Sequence, residues 1–255
     1  MSKITDMLTI NHLYIVVFLL VGSTLFAQEN HIEADRPDQT ETPAIVPKKM
    51  FQFESGFLYE KTSSDAELLL TPTILSKYGV SDNFELRLIT QFQSEHASGV
   101  DISGLAPVLV GFKVRLWDEK GPLPLTSFIG HLQLPNVASA DLKASSLAPS
   151  FRFVMQHTLT EKLSLSYNLG AEWDGEMPSA TLLYTVATGI ELTDKLGMFA
   201  EFFGFAPETD AASHNFDTGF TYLLSNNAMI DVSGGIGLTE NAPDTFASIG
   251  FSFRF

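Results

Sequence analysis

Phe51-Gln52-Phe53-Glu54-Ser55-Gly56-Phe57-Leu58-Tyr59-Glu60 is the stretch whose reading decides the fold. Phe51, Phe53, Phe57 and Tyr59 share one face, and Gln52, Glu54, Gly56 and Glu60 share the other. Leu58 is the exception, an apolar residue on the polar side. Successive strand side chains point to opposite faces, so this is a strand with one apolar and one polar surface.

The same period runs to the last residue. Phe84, Leu86, Leu88 and Phe92 oppose Glu85, Arg87, Gln91 and Gln93. Val110, Phe112, Val114 and Leu116 oppose Gly111, Lys113, Arg115 and Trp117. Leu163, Leu165, Tyr167 and Leu169 oppose Ser164, Ser166, Asn168 and Gly170, and Phe216, Phe220 and Tyr222 oppose Asn215, Asp217, Gly219 and Thr221. A soluble sandwich also alternates, so the connections must decide. Short turn signals at 79–83, 160–162, 193–195 and 225–227 are interleaved with longer polar stretches at 94–103, 135–146, 174–179, 207–214 and 239–244. Short turns at one end and longer loops at the other, with a dense apolar exterior, are the pattern of an outer-membrane barrel. The chain closes on Ile249-Gly250-Phe251-Ser252-Phe253-Arg254-Phe255, and Phe253 and Phe255 read as a terminal signal for the outer-membrane assembly machinery.

The expected fold is all-β: an antiparallel transmembrane barrel of about twelve strands over residues 50–255, the strands starting near 50, 66, 84, 106, 125, 147, 163, 180, 197, 214, 228 and 245. A helix at 180–192 is the main local competitor, but Tyr184, Val186, Thr188 and Ile190 favour a strand. Twelve strands spaced ~4.8 Å apart and tilted ~40° close at a backbone radius of ~12 Å, leaving a narrow lumen.

Before the barrel, Lys3, an apolar run from Leu13 to Val21 and a small residue at Ala27 read as a cleaved signal peptide over residues 1–27. The run is too short to be a membrane helix. Composition agrees with the barrel: 45% hydrophobic and only 18% charged residues, with 21 Phe. The formal charge of −15 argues against a nucleic-acid partner, because no basic field exists to release counterions. The absence of Cys removes thiolate metal sites, Cys nucleophiles and disulfides.

No catalytic, cofactor-binding or metal motif emerges. Ser127 and His131 share a strand face and could be drawn as a hydroxyl beside a base, but ordinary polar lining is the simpler account. The phase of the strands instead assigns charges to the lumen. Arg87, Lys113, Arg115 and Arg152 point inward from one part of the wall, and Glu172, Glu191, Glu201, Asp217 and Asp231 come mostly from the other. Separated arcs would set up a field across a pore. The alternative is that Glu54 and Glu85 neutralise the basic arc in a structural network.

Residues 28–49 are polar, contain Pro37, Pro43 and Pro47, and show no period. Two readings stay open: a periplasmic lead-in without regular structure, or a plug folded into the lumen, with Asp35, Arg36 and Asp38 meeting wall charges. Ala34-Asp35-Arg36-Pro37-Asp38-Gln39-Thr40-Glu41-Thr42-Pro43, with Val46-Pro47, the 51–57 strand, Tyr78 to Arg87 and the aromatic C-terminus, resembles the phenol-degradation-pathway (MetA-type) outer-membrane transporter family of Gram-negative bacteria. That resemblance implies an outer-membrane barrel with a transport role and supplies no substrate or catalytic residues. The expected function is passive passage of small solutes, aromatic or polar metabolites, across the bacterial outer membrane, without a cofactor or a catalytic step. Outer-membrane lipid, the assembly machinery and a small solute are the expected partners. A structural or adhesive barrel acting through its external loops is the alternative.

Overall fold

The computed structural model describes residues 31–63 and 66–255. The expected signal peptide lies outside the described residues. The chain forms β1 (Phe51–Ser63), β2 (Ala66–Ser81), β3 (Phe84–Ala97), β4 (Val100–Leu105), β5 (Val108–Trp117), β6 (Leu125–Leu134), β7 (Ala148–Thr160), β8 (Leu163–Glu172), β9 (Thr181–Glu191), β10 (Leu196–Pro207), β11 (Ser213–Ser225), β12 (Ala228–Gly237) and β13 (Thr245–Arg254). One 3-10 turn, Ala140–Leu142, lies in the β6–β7 connection. The 180–192 segment is strand β9, as its β-branched residues require.

Every pairing is antiparallel, and β1 pairs with β13, so the sheet closes on itself. Closure leaves no exposed edge, which a membrane-spanning sheet requires. Among the described residues thirteen strands fill twelve wall positions. β4 pairs with the outer part of β3 (Phe92↔Leu105 to Ala97↔Val100), and β5 pairs with its inner part (Phe84↔Val114 to Ile89↔Leu109). Ala106-Pro107 breaks this one wall position in two, because proline cannot donate to a ladder. Pro72 likewise falls in the register shift between Leu70 and Thr73.

Two expectations are corrected. Residues 94–103 are not an open loop. They are the β3–β4 hairpin, turned at Ser98-Gly99, both with positive φ (53° and 80°), as a tight two-residue turn requires. This hairpin alternates without an apolar face, so it reads as polar loop. Trp117 does not point inward: the register shifts between Arg115 and Trp117, and the indole is 48% exposed on the outside. One extra residue in a strand reverses the face of whatever follows it.

Leu86, Leu88, Phe92, Phe153, Leu169, Phe202, Phe220, Val232 and Ile249 all stand exposed on the outer face. An apolar belt this continuous needs a lipid solvent. At the end that carries the short turns, the β13–β1 seam is covered by stacked rings: Phe53 lies 5.4 Å from Phe253 and 6.0 Å from Phe255, and Phe51 lies 6.0 Å from Phe255. Phe255 is itself 63% exposed beside them.

Candidate functional site: the lumen and its lead-in

Residues 32–50 form no strand. The segment starts at the turn end, where Ile32 N donates to Asn226 O (2.8 Å), and returns there to enter β1, with Lys49 N donating to Gly79 O (2.7 Å). Between these points it loops up through the lumen. Its prolines keep it out of the sheet, so its polar backbone must be satisfied by the wall's side chains. Asp35 N donates to Glu54 Oε2, Gln39 N to Glu201 Oε2, Glu41 N to Asn168 Oδ1 and Val46 N to Glu85 Oε2, each at 2.8 Å. Pro43 O accepts from Ser127 Oγ (2.6 Å), Thr42 O from Lys113 Nζ (2.7 Å) and Gln39 O from Arg152 Nη1 (3.2 Å). Wall carboxylates accepting N–H bonds are charge-assisted contacts, stronger than neutral ones.

On the β2–β3–β5 side three cations converge on one carboxylate. Asp35 Oδ2 takes Lys77 Nζ (2.9 Å) and Arg87 Nη1 (3.0 Å), and Oδ1 takes Lys113 Nζ (2.8 Å). The wall adds Glu54, paired with Lys77, and Glu85, 3.2 Å from Arg87. Glu41 of the lead-in closes on Arg87 Nη2 at 2.6 Å. Burial opposes a charge on Asp35, but Lys113, Lys77 and Arg87 more than reverse this and hold its carboxyl well below the usual carboxylate range.

The opposite side is acidic. Register places Glu201 across from Asp217. Glu201 also accepts from Thr40 Oγ1 (2.5 Å), and Asp231 pairs with Arg36 Nη2 (3.0 Å), which also donates to Ser248 Oγ (2.7 Å). The guanidinium of Arg36 lies over Gly56 and Gly250, a cross-strand pair at the seam, where a Cβ on either would overlap it. Glycine here makes the slot that admits the side chain. Asp217 Oδ1 and Asn215 Oδ1 are buried without a hydrogen-bond partner.

Above the lead-in, towards the loop end, lies a cavity of about 510 Å³. Its floor includes Asp35, Arg36, Asp38, Glu41, Arg87 and Arg152. Its walls carry Leu58, Leu75 and Ile89 on one side and Phe203, Phe205 and Phe246 on the other, among polar and acidic residues that include Glu54, Glu60 and Asp217. The three Phe rings pack edge to face, with centroids 5.8–6.0 Å apart.

Two sequence-assigned charges fall outside this constellation. Arg115 sits at the turn end, 3.5 Å from Asp118, and Glu191 is exposed at the same end. Arg152 bridges towards Glu41 (3.8 Å) and Glu172 (4.0 Å) near the loop side. Ser127 and His131 do not meet: the hydroxyl bonds Pro43, and His131 Nε2 accepts from Arg87 Nε at 3.2 Å. The sequence reading missed Lys77 and Glu41. Lys77 lies in a stretch where Leu75 faces inward and Ser76 outward, so polarity gives the wrong phase there. Among the described residues no group of His, Cys, Asp or Glu is arranged to hold a metal ion.

A closed sheet with a lipid-facing apolar belt and a polar lumen defines the class: a transmembrane β-barrel of the outer-membrane type. The chain belongs to the family described as "Putative MetA-pathway of phenol degradation", whose model matches residues 34–255, the lead-in included. No curated protein matches it. Among solved structures it is similar to the COG4313 outer membrane channel from Pseudomonas putida F1, with a TM-score of 0.64 and 13% identity, covering 86% of this chain and 99% of that one. It is also similar to the NanC porin (TM-score 0.52, 9% identity, covering 80% and 98%) and the KdgM porin (0.51, 12%, 80% and 99%). At these identities the likeness is one of fold.

Proposed function

We propose that the protein is a passive outer-membrane channel for small solutes whose lumen is closed by its own lead-in, with no catalytic step. The observation that carries this reading is the hold of both lumen walls on residues 35–46, below a cavity large enough for a small organic molecule. A purely structural barrel has no use for such a cavity, whereas a conduit needs one beside a removable obstruction. The Phe and Leu lining suits solutes with an apolar or aromatic body, and the charged floor suits a polar end. The short-turn end, from which the lead-in enters, faces the periplasm.

Planar-bilayer conductance of the full chain, compared with a chain lacking residues 34–43, tests the reading. The deletion should raise single-channel conductance several-fold. A barrel that stays silent in both forms, while still migrating as folded on unheated gels, would return the assignment to a structural or adhesive role.

A further inference from the structure

We propose that the Lys77–Arg87–Lys113 cup is a carboxylate-binding site, filled by Asp35 in the closed form and contested by a small apolar-bodied monocarboxylate entering from the cavity. This rests on the gated-channel reading and names the solute class and the trigger.

The charge balance of the wall is the first argument. Lys77, Arg87 and Lys113 are each at least 97% buried, and the wall itself offers only Glu54 and Glu85 against them. One positive charge is left over. Uncompensated, it would be costly in a site removed from water. The lead-in answers with two carboxylates: Glu41, on Arg87 alone among the three, and Asp35, which uses both oxygens and all three cations. Glu41 is also shared with Arg152, so Asp35 is not the sole anion but the one carboxylate that touches all three cations. Nothing in the cup requires that shared carboxylate to belong to the chain.

Access is the second argument. Asp35 and Arg87 form part of the cavity floor while Lys77 and Lys113 do not line it, so an incoming carboxylate meets Arg87 first and gains the two lysines only as Asp35 withdraws. Its body would lie between the Leu58, Leu75 and Ile89 side and the Phe203 and Phe246 side. A neutral solute of the same shape gains the walls but not the cup. An amine of that shape also gains the walls, but the cup repels it.

Connectivity is the third argument. Asp35 is followed directly by Arg36, which hooks Asp231 and Ser248 across the lumen. A solute that takes the place of Asp35 releases the residue that positions this hook, so occupancy of the cup loosens the whole lead-in. Asp35 competes as a tethered ligand at an effective concentration in the millimolar range. A free carboxylate must therefore be supplied at about millimolar levels to displace it.

The chain has no cysteine, so Ala44→Cys in the full-length reconstituted protein gives a single reporter on the lead-in. Its labelling by a maleimide is followed with benzoate, with neutral benzamide, and with chloride at matched ionic strength. Benzoate should accelerate labelling several-fold, with half-effect at about millimolar concentration, and benzamide should not. In Asp35→Asn, calorimetry should show benzoate binding at one site at least about tenfold more tightly than to the unsubstituted protein, since the internal competitor is gone. Asp35→Glu keeps the charge and should bind benzoate no better than the unsubstituted protein, which separates competition from misfolding. Equal effects of benzoate and benzamide would overturn the proposal, as would no benzoate binding to folded Asp35→Asn. If the 34–43 deletion opens the pore but benzoate does nothing, the cup proposal falls and the channel reading stands. If the deletion is silent but Asp35→Asn binds benzoate, the channel reading falls and the site stands.

Discussion

The two sides of the lumen grip the same segment by different means. On the β2–β3–β5 side, Asp35 is enclosed by three buried cations, and each of those cations has a partner. On the β10–β12 side, Glu201 and Asp231 hold the lead-in through Thr40, the Gln39 amide and a partly exposed Arg36, while Asp217 Oδ1 and Asn215 Oδ1 accept nothing. One side is an anchor and the other a hook. The difference teaches that a lead-in opening in steps lets go of the β10–β12 wall first.

That asymmetry can be broken experimentally. Asp35→Asn should have the largest effect of any single substitution in the lead-in. Removing one partner from a buried ionic network costs ~3–5 kcal/mol, enough to shift the docked–undocked balance by roughly 10²–10⁴-fold. In bilayers this should appear as a channel open most of the time. Arg36→Gln should act in the same direction but less, because it forfeits hydrogen bonds worth ~1–3 kcal/mol at a side chain that is 18% exposed. If Arg36→Gln opens the channel as fully as Asp35→Asn, the anchor and hook have been misassigned. Gly250→Ala fills the slot that Arg36 occupies and should mimic Arg36→Gln, and the double substitution should add little, since both act on one contact. Simple additivity would mean that Gly250 acts elsewhere.

The smallest expected effect is that of pH. Burial, with Glu201 and Asp217 close by, holds the Asp38 carboxyl well above the usual carboxylate range. An acid whose pKa is raised on docking favours the docked form below its ordinary pKa, near ~4, and weakens docking as pH climbs from there through the raised value. Open probability should therefore rise with pH over that interval, and Asp38→Asn should flatten the rise. A profile unchanged by the substitution would remove Asp38 from the account.

The barrel was legible because period two is a direct imprint of the pleat, and it survives wherever one face meets lipid. It failed where polarity and facing part company. Trp117 follows a bulge, the 94–103 hairpin leaves the membrane and loses its apolar face, and Leu75 and Ser76 invert the pattern beside Lys77. Leu58 was the informative irregularity, since an apolar residue on the polar face lines the cavity. The phase of the strands carried Arg87, Lys113, Glu54, Glu85, Glu201, Asp217 and Asp231 to the lumen. It could not say which of them meet Asp35, Arg36 and Asp38, because a segment without periodicity has no phase to extrapolate.

The seam between β1 and β13 also orders events in time. Lys77, Arg87 and Lys113 lie within 80 residues of Asp35, so the anchor can form on the first few strands of a growing sheet. Asp231 and Ser248 lie 195 and 212 residues from Arg36, on β12 and β13, which come beside β1 only once β13 pairs with it. The hook therefore cannot close before the cylinder does. Without the β1–β13 pairing the lead-in is tethered on one side only, so the Arg36 latch and the closed cylinder stand or fall together.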